Sequence, residues 1–213
     1  MSTNLPITTY RDAIFWDVDT QVDFMLPGGK LYAPGAEQIV PQLRQLTQYA
    51  REHQILVIAS MDAHRLGDTE FSQWPPHCIL GTPGQQKIPS TQLNIAHTLP
   101  SIKAEIPPDP GRFEQIILEK CAVDVFTNPN VDDLLARMGK PGVTVYGVVT
   151  EVCVLMAAGG LLKRGHQVRL VTDAIWPFQR EKGDQALAEL QRAGAQLVST
   201  DEVLGHDPLS RTA

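Results

Sequence analysis

One cysteine of this chain stands where its neighbours favour a reactive thiol. Cys153 follows the run Val143–Val149 and precedes the small-residue stretch Leu155–Leu162, a pattern that predicts a strand, a turn and a helix. The unpaired N–H groups and the dipole at a helix N-terminus favour a thiolate over a thiol. The alternative is a structural cysteine, because free cysteine is among the most buried residue types. Cys153 is therefore a candidate nucleophile.

Three charged residues stand at the ends of other apolar runs. Asp19, Asp62 and Lys120 each fall at or just beyond the end of a different run that predicts a strand. In a doubly wound sheet the carboxyl ends of the strands form one rim, and ligands bind there. We therefore expect these side chains to meet Cys153 on that rim. The alternatives are a turn or helix-capping role for Asp19 and a solvated strand end for Lys120.

A second group of residues has the chemistry of metal ligands. Asp62 and His64 are two positions apart, so their side chains lie on the same side of an extended segment. His77 can fold back over them from the loop that follows. Two imidazoles and one carboxylate suit a divalent metal ion with positions left open for water or substrate. The alternative is a surface pair without a metal, since an Asp-x-His sequence is common.

The elements that position these residues alternate between strand and helix patterns. The predicted strands are 13–18, 55–59, 116–118, 143–149, 168–171 and 196–198, and the predicted helices are 34–53, 131–138, 154–164 and 180–193. Such alternation is typical of a mostly parallel sheet covered on both faces. We predict a three-layer α/β/α fold with about six strands in a doubly wound sheet. The length fits one domain over residues 1–213.

The segment from about 61 to 112 interrupts that rhythm. It has little regular period and contains eight of the 16 prolines of the chain. A loop of this length inside a compact domain indicates either a function or a misassigned element. Because it contains Asp62, His64, Trp74 and His77, we interpret it as a functional loop.

Composition excludes several classes of protein. A formal net charge of −6 without a basic cluster argues against binding to nucleic acid or to an anionic membrane. No run approaches the ~20 apolar residues that span a bilayer, and residues 1–6 lack the pattern of a signal peptide. Three cysteines in no disulfide or metal spacing fit a reducing compartment. These features predict a cytoplasmic globular protein.

The motifs, taken together, resemble the isochorismatase-like cysteine hydrolases, and most of all their nicotinamidase branch. The matching segments are Asp19–Phe24 (D-x-Q-x-D-F), Pro27–Gly29, Asp62–His64 (D-x-H), Trp74–Cys78 (W-P-x-H-C), Gly81–Gly84 (G-T-x-G), Lys120 and Gly147–Val154 (G-V-x-T-[ED]-x-C-V). Each motif is weak alone. Their common order along most of the chain makes the resemblance specific.

The resemblance implies a catalytic mechanism. Asp19 accepts the proton of the Cys153 thiol, and the Lys120 cation stabilises the thiolate. The thiolate attacks a carboxamide carbonyl, and the backbone N–H groups of Val149 and Cys153 form the oxyanion hole. The family also implies a cis peptide bond between Val148 and Val149.

The resemblance further implies a substrate and a cofactor. The expected reaction converts nicotinamide to nicotinate and ammonia through a Cys thioester. Asp62, His64 and His77 hold a divalent metal, with zinc as the expected ion and manganese or iron as alternatives. The metal orients the substrate, and Phe24 and Trp74 flank its ring. The family also implies a homo-oligomer, and a small amide is the expected substrate.

Some residues depart from the family pattern and keep other functions open. Val152 stands where many nicotinamidases have an aromatic residue. A fourth protein ligand is frequent in the family, and the candidates for it here are Asp68 and Glu70. A related cysteine hydrolase acting on another small amide, ureide or carbamoyl compound is the second hypothesis. A non-catalytic interaction domain is the third, and the presence of Asp19, Lys120 and Cys153 argues against it.

Overall fold

A single parallel sheet of seven strands forms the centre of the protein. The computed structural model describes residues 12–205, so the ends of the predicted domain, 1–11 and 206–213, lie outside the described residues. The strands are β1 (Ala13–Val18), β2 (Val57–Asp62), β3 (Ala96–Leu99), β4 (Gln115–Lys120), β5 (Gly142–Val148), β6 (Val168–Trp176) and β7 (Gln196–Val198). Their order is β3-β4-β2-β1-β5-β6-β7, and every neighbouring pair is parallel.

Helices cover both faces of the sheet, which confirms the three-layer prediction. The α-helices are α1 (Val22–Met25), α2 (Val40–Glu52), α3 (Val131–Met138), α4 (Leu155–Lys163), α5 (Arg180–Arg192) and α6 (Thr200–Gly205). Helices α3, α4 and α5 pack on one face around Trp16, and α1, α2 and α6 pack on the other around Phe15. Neighbouring residues of β1 thus contribute to opposite cores because side chains alternate along a strand. Within residues 12–205, the helices are too short or too polar to cross a bilayer.

The prediction of about six strands was one strand short. The additional strand, β3, lies within the segment predicted as a loop and pairs only with β4 at the edge of the sheet. Ala96 and Thr98 are exposed, so β3 lacks the apolar pattern of the central strands. Short, polar strands are common at sheet edges, where one side stays unpaired.

The order of the strands places a ligand-binding crevice beside β1. In the sheet, β2, β4 and β3 lie on one side of β1, and β5, β6 and β7 lie on the other side. The order in which strands are added therefore reverses between β1 and β5. Crevices at such switch points bind ligands in open α/β sheets. Gly147 allows the close approach here: it has φ +119°, and a Cβ atom would lie 2.1 Å from the Val18 carbonyl oxygen.

Candidate active site

Cys153 lies at the carboxyl end of β5, as the sequence predicted. It belongs to a π-helical turn, Thr150–Val154, that leads directly into α4. Its Sγ atom lies 3.7 Å from Lys120 Nζ. Burial raises the pKa of the Cys153 thiol well above its ordinary value and outweighs the opposing effect of Lys120. The turn alone therefore does not yield a thiolate, and the thiol needs a base beside it.

Asp19 provides a carboxylate directly after β1. The hydroxyl of Ser60 donates a 2.7 Å hydrogen bond to Asp19 Oδ1. The other oxygen, Oδ2, lies 3.0 Å from Lys120 Nζ, and the carboxylate also interacts with the Cys153 thiol. Burial raises the pKa of Asp19, which makes it a better proton acceptor than a solvated carboxylate. A turn or capping role does not describe this buried side chain.

Lys120 is a buried cation rather than a solvated strand end. It ends β4 with 1% of its surface exposed, and it contacts the carboxylates of Asp19 and Asp62. Burial would lower the pKa of Lys120, but these two carboxylates outweigh it and raise the pKa well above the ordinary value. Lys120 therefore stays positively charged beside the thiol. Asp19, Lys120 and Cys153 are called the nucleophile cluster below.

A second group, called the Asp–His cluster below, lies on the other side of Lys120. Its members are Asp62, His64, Glu70 and His77, whose ligand atoms all lie within 4.8 Å of one another. Asp62 Oδ2 is 3.7 Å from His64 Nε2 and 3.4 Å from His77 Nε2. Glu70 Oε1 is 3.8 Å from His64 Nε2. The three ligands predicted from the sequence therefore converge, and Glu70 joins them.

The donor set fits a divalent metal ion. His64 Nε2 is buried and has no hydrogen-bond partner among the described residues, although it faces the other donors. His64 Nδ1 lies 3.1 Å from Asp68 and His77 Nδ1 lies 2.8 Å from the Pro75 carbonyl, which leaves both Nε2 atoms to coordinate. Two imidazole nitrogens and two carboxylate oxygens suit zinc and similar ions. Of the two candidate fourth ligands, Glu70 has the better position, since Asp68 contacts the far side of His64.

Gln21 joins the two clusters. Its side-chain nitrogen donates to the Asp62 carbonyl (2.8 Å), and its side-chain oxygen accepts from the Asp62 N–H (2.7 Å). The same nitrogen donates to the Gln85 carbonyl at 2.6 Å. The turn that carries Asp19 is thereby bound to the strand end that carries Asp62.

Cys153 of the nucleophile cluster and three members of the Asp–His cluster line one largely apolar cavity. Phe24 and Trp74 line it, where the sequence predicted substrate-binding residues. Trp74 stacks on Phe178, with ring centres 5.8 Å apart, and Phe24 lies 5.3 Å from the ring of His77. Aromatic rings therefore line the space between Cys153 and the Asp–His cluster.

The proposed oxyanion residues lie in the same wall. Val149 and Cys153 both line the cavity. The peptide bond between Val148 and Val149 is cis, as the sequence motifs led us to expect. The Val149 carbonyl accepts hydrogen bonds from the N–H groups of Val152 and Val154, which closes the turn around Cys153.

The family model of the isochorismatase domain matches residues 14–202. The chain belongs to the isochorismatase family. The nicotinamidase/pyrazinamidase of Mycobacterium tuberculosis is 28% identical to it over 188 residues, 85% of this chain and 95% of that protein. The nicotinamidase of Acinetobacter baylyi is 26% identical over 207 residues, 88% of this chain and 92% of that protein.

A solved structure extends the similarity to the fold. The pyrazinamidase of Pyrococcus horikoshii, determined in complex with zinc, superimposes with a TM-score of 0.73 and is 28% identical. The similarity covers 88% of this chain and 99% of that one. The similarity in sequence and in fold therefore extends over nearly all of the residues that the structure describes.

Two contributors to this isochorismatase-family site were missed by the sequence reasoning, and a third was identified only as one of two alternatives. Ser60 had a detectable signal, because it is a polar residue within the apolar strand β2. Glu70 had been left as one of two alternatives. Phe178 follows β6 in a connecting segment without periodicity, and no sequence signal identified it.

Proposed function

We propose that this protein is an amidohydrolase that converts nicotinamide to nicotinate and ammonia through a thioester on Cys153. The observation that carries the proposal is a buried thiol at the wall of an aromatic cavity, with a buried carboxylate and a buried lysine beside it. The Asp–His cluster lies at another wall of the same cavity. Relatives named nicotinamidase, aligned over most of their length, support this choice of substrate.

The first step is the activation of the nucleophile. The Cys153 thiol proton moves to Asp19, whose raised pKa makes the transfer less unfavourable. Lys120, 3.7 Å from Sγ, stabilises the thiolate that forms. Ser60 holds the other oxygen of Asp19 in place during the transfer.

The next steps break the amide bond. The thiolate adds to the carboxamide carbon, and the oxyanion accepts hydrogen bonds from the N–H groups of Val149 and Cys153. As the intermediate collapses, Asp19 returns its proton to the departing nitrogen and ammonia leaves. Asp19 then accepts a proton from water as the resulting hydroxide adds to the thioester carbon. When the carbon–sulfur bond breaks, Asp19 returns this proton to the Cys153 sulfur, and the acid product loses its proton to solvent and leaves as nicotinate.

Residues of the Asp–His cluster bind and orient the substrate. A zinc ion held by Asp62, His64, Glu70 and His77 would be a Lewis acid able to bind a ring nitrogen. Phe24 and Trp74 hold the ring between them, which directs the carboxamide towards Cys153. The zinc-bound pyrazinamidase supports the choice of metal. A homo-oligomer and a cytoplasmic location remain predictions.

Ammonia release tests the proposal directly. The purified protein, loaded with zinc, is assayed on nicotinamide, pyrazinamide, a ureide and an aliphatic amide, with Cys153→Ala as the blank. We expect turnover of nicotinamide and pyrazinamide and a covalent acyl adduct on Cys153 in quenched samples by mass spectrometry. Turnover of the ureide alone would favour the related cysteine hydrolase, and no turnover of any amide would reject the proposal.

A further inference from the structure

A second buried lysine lies beneath the turn that carries Asp19 and has no part in the reaction above. Lys87 Nζ lies 2.7 Å from Asp17 Oδ2, and neither side chain has exposed surface. Outside the site itself, no other Lys or Arg ion pair within residues 12–205 is buried at both ends. Replacing a buried ion pair by apolar residues is often neutral or stabilising. Stability alone therefore does not account for this pair.

Lys87 connects the two residues around Asp19. Its ammonium group also donates to Thr20 Oγ1 at 2.8 Å, and Thr20 donates to Asp17 Oδ2 at 3.1 Å. Asp19 itself has φ +48°, a left-handed conformation that is uncommon in residues other than glycine, although aspartate adopts it more often than most. The polar triangle of Asp17, Thr20 and Lys87 joins the residues before and after this left-handed position.

The backbone around Lys87 holds the same turn. Gln21 and Lys87 form an isolated antiparallel bridge. The Ile88 N–H donates to the Thr20 carbonyl, and the Val22 N–H donates to the Gln86 carbonyl, both at 2.9 Å. The ion pair therefore fastens this crossing segment, which follows His77 in the chain, to the end of β1.

We propose that Lys87 and Asp17 are positioning residues that hold Asp19 where it can accept the proton of Cys153. The inference rests on the proposed function, because it assigns Asp19 the role of base. Neither Lys87 nor Asp17 lines the cavity, so their effect reaches the reaction through the placement of Asp19. Their charges, rather than their bulk, perform this role.

Two variants separate positioning from stability. Lys87→Met leaves a lone buried carboxylate, whereas the double variant Asp17→Leu, Lys87→Met removes both charges and keeps side chains of similar shape and atom number. The matched control is Lys103→Met with Asp133→Leu, which removes an ion pair of the same types whose side chains are 61% and 59% exposed. Each protein also carries Cys121→Ala, so that alkylation reports on Cys153. Thr20→Val is a milder variant that breaks one side of the polar triangle.

We measure melting temperature, zinc content, kcat and KM for nicotinamide, and the rate of Cys153 alkylation by iodoacetamide. Lys87→Met is expected to lower both the melting temperature and kcat. The double variant is expected to recover the melting temperature, while kcat stays lower by about 10-fold or more, as for a misplaced catalytic group. Its KM and zinc content should stay within about two-fold of the parent, and its alkylation should be slower. Thr20→Val should show a smaller decrease in kcat, and the control pair none.

Recovery of both stability and kcat in the double variant would show that the pair is only structural and would overturn the inference. An unchanged kcat and alkylation rate in Thr20→Val and Lys87→Met would do the same. If the parent hydrolyses no amide, the proposed function fails, and the alkylation rates alone then decide whether Lys87 positions Asp19. If the double variant does not fold, the kcat and the alkylation rate of Thr20→Val decide whether the polar triangle positions Asp19.

Discussion

The nucleophile cluster and the Asp–His cluster share one cavity but are built in different ways. Asp19, Lys120 and Cys153 lie at or just beyond the ends of β1, β4 and β5, so the register of the parallel sheet constrains their separation. In the Asp–His cluster only Asp62 belongs to a strand. His64, Glu70 and His77 come from the long segment between β2 and β4.

This difference assigns different tasks to the two clusters. Groups fixed by a sheet can keep reacting atoms within hydrogen-bonding distance, which proton transfer and nucleophilic attack require. Ligands from loops are oriented by separate hydrogen bonds, such as those of His64 with Asp68 and of His77 with the Pro75 carbonyl, and they suit a cation that completes their arrangement. We therefore expect damage to the nucleophile cluster to affect kcat and damage to the Asp–His cluster to affect metal content and KM.

The largest effect is expected for Cys153→Ala. Loss of the nucleophile should lower kcat by about 10⁴-fold or more, as for other covalent catalysts. The zinc content and melting temperature should stay near those of the parent, because the volume change is small. Ammonia release and metal analysis check this, with Cys121→Ala as the control thiol. Near-normal turnover would rule out the covalent mechanism.

Lys120→Met should have the next largest effect. Without the cation, kcat should fall by about 10²–10³-fold, the usual size for one charge-stabilising group. Asp19 and Asp62 would also face each other without a counter-charge, so the free energy of unfolding should decrease by roughly 3–5 kcal/mol. Steady-state kinetics and chemical denaturation test both effects. Lys163→Met, at an exposed position, is the control.

His77→Ala should affect binding more than chemistry. Loss of one imidazole should reduce zinc affinity, and kcat/KM should fall by about 10–100-fold, mainly through KM. The thiol should still react with iodoacetamide at the parental rate. Metal analysis by mass spectrometry and kinetics check this, with His97→Ala as a control outside the cluster. Equal zinc content in both variants would show that the Asp–His cluster is not the metal site.

Ser60→Ala is expected to have the smallest effect and a defined pH dependence. Its hydroxyl lowers the pKa of Asp19, so its loss should raise that pKa further. Asp19 must be deprotonated to act as the base, so activity declines as the pH falls through its pKa. The acidic limb of kcat/KM should therefore move to higher pH, with kcat at pH 7 lower by about 10-fold. A pH–rate profile of Ser60→Ala beside Ser60→Thr tests this, and an unshifted limb would contradict it.

The sequence predicted the nucleophile cluster better than the Asp–His cluster for a physical reason. Asp19, Lys120 and Cys153 each end an apolar run, and parallel strands bring such ends together without further information. The choice between Asp68 and Glu70 depended instead on a short 3₁₀ turn, Thr69–Ser72, whose geometry has no periodic signal.

The missed elements have a similar cause. Strand β6 continues to Trp176, five residues beyond its predicted end, because the exposed residues Thr172 and Asp173 interrupt its apolar pattern. Phe178 lies shortly after this part of β6, and the sequence pattern therefore did not place it at the cavity. Where a family motif was present, as for His77, the resemblance identified the site residue although the sequence pattern had no period. Where no motif was present, as for Phe178, the residue was not identified.

The central position of β1 has a consequence for synthesis of the chain. Ala13 pairs with Gly142, so β1 gains its second neighbour only after about 130 more residues have been made. At ~5–20 residues per second, this takes on the order of 6–26 seconds on the ribosome. During that time one edge of an apolar strand stays unpaired and can associate with other chains. A ribosome-bound chain that ends before β5 should therefore recruit chaperones and be cleaved readily by proteases, whereas one that extends past β7 should resist cleavage.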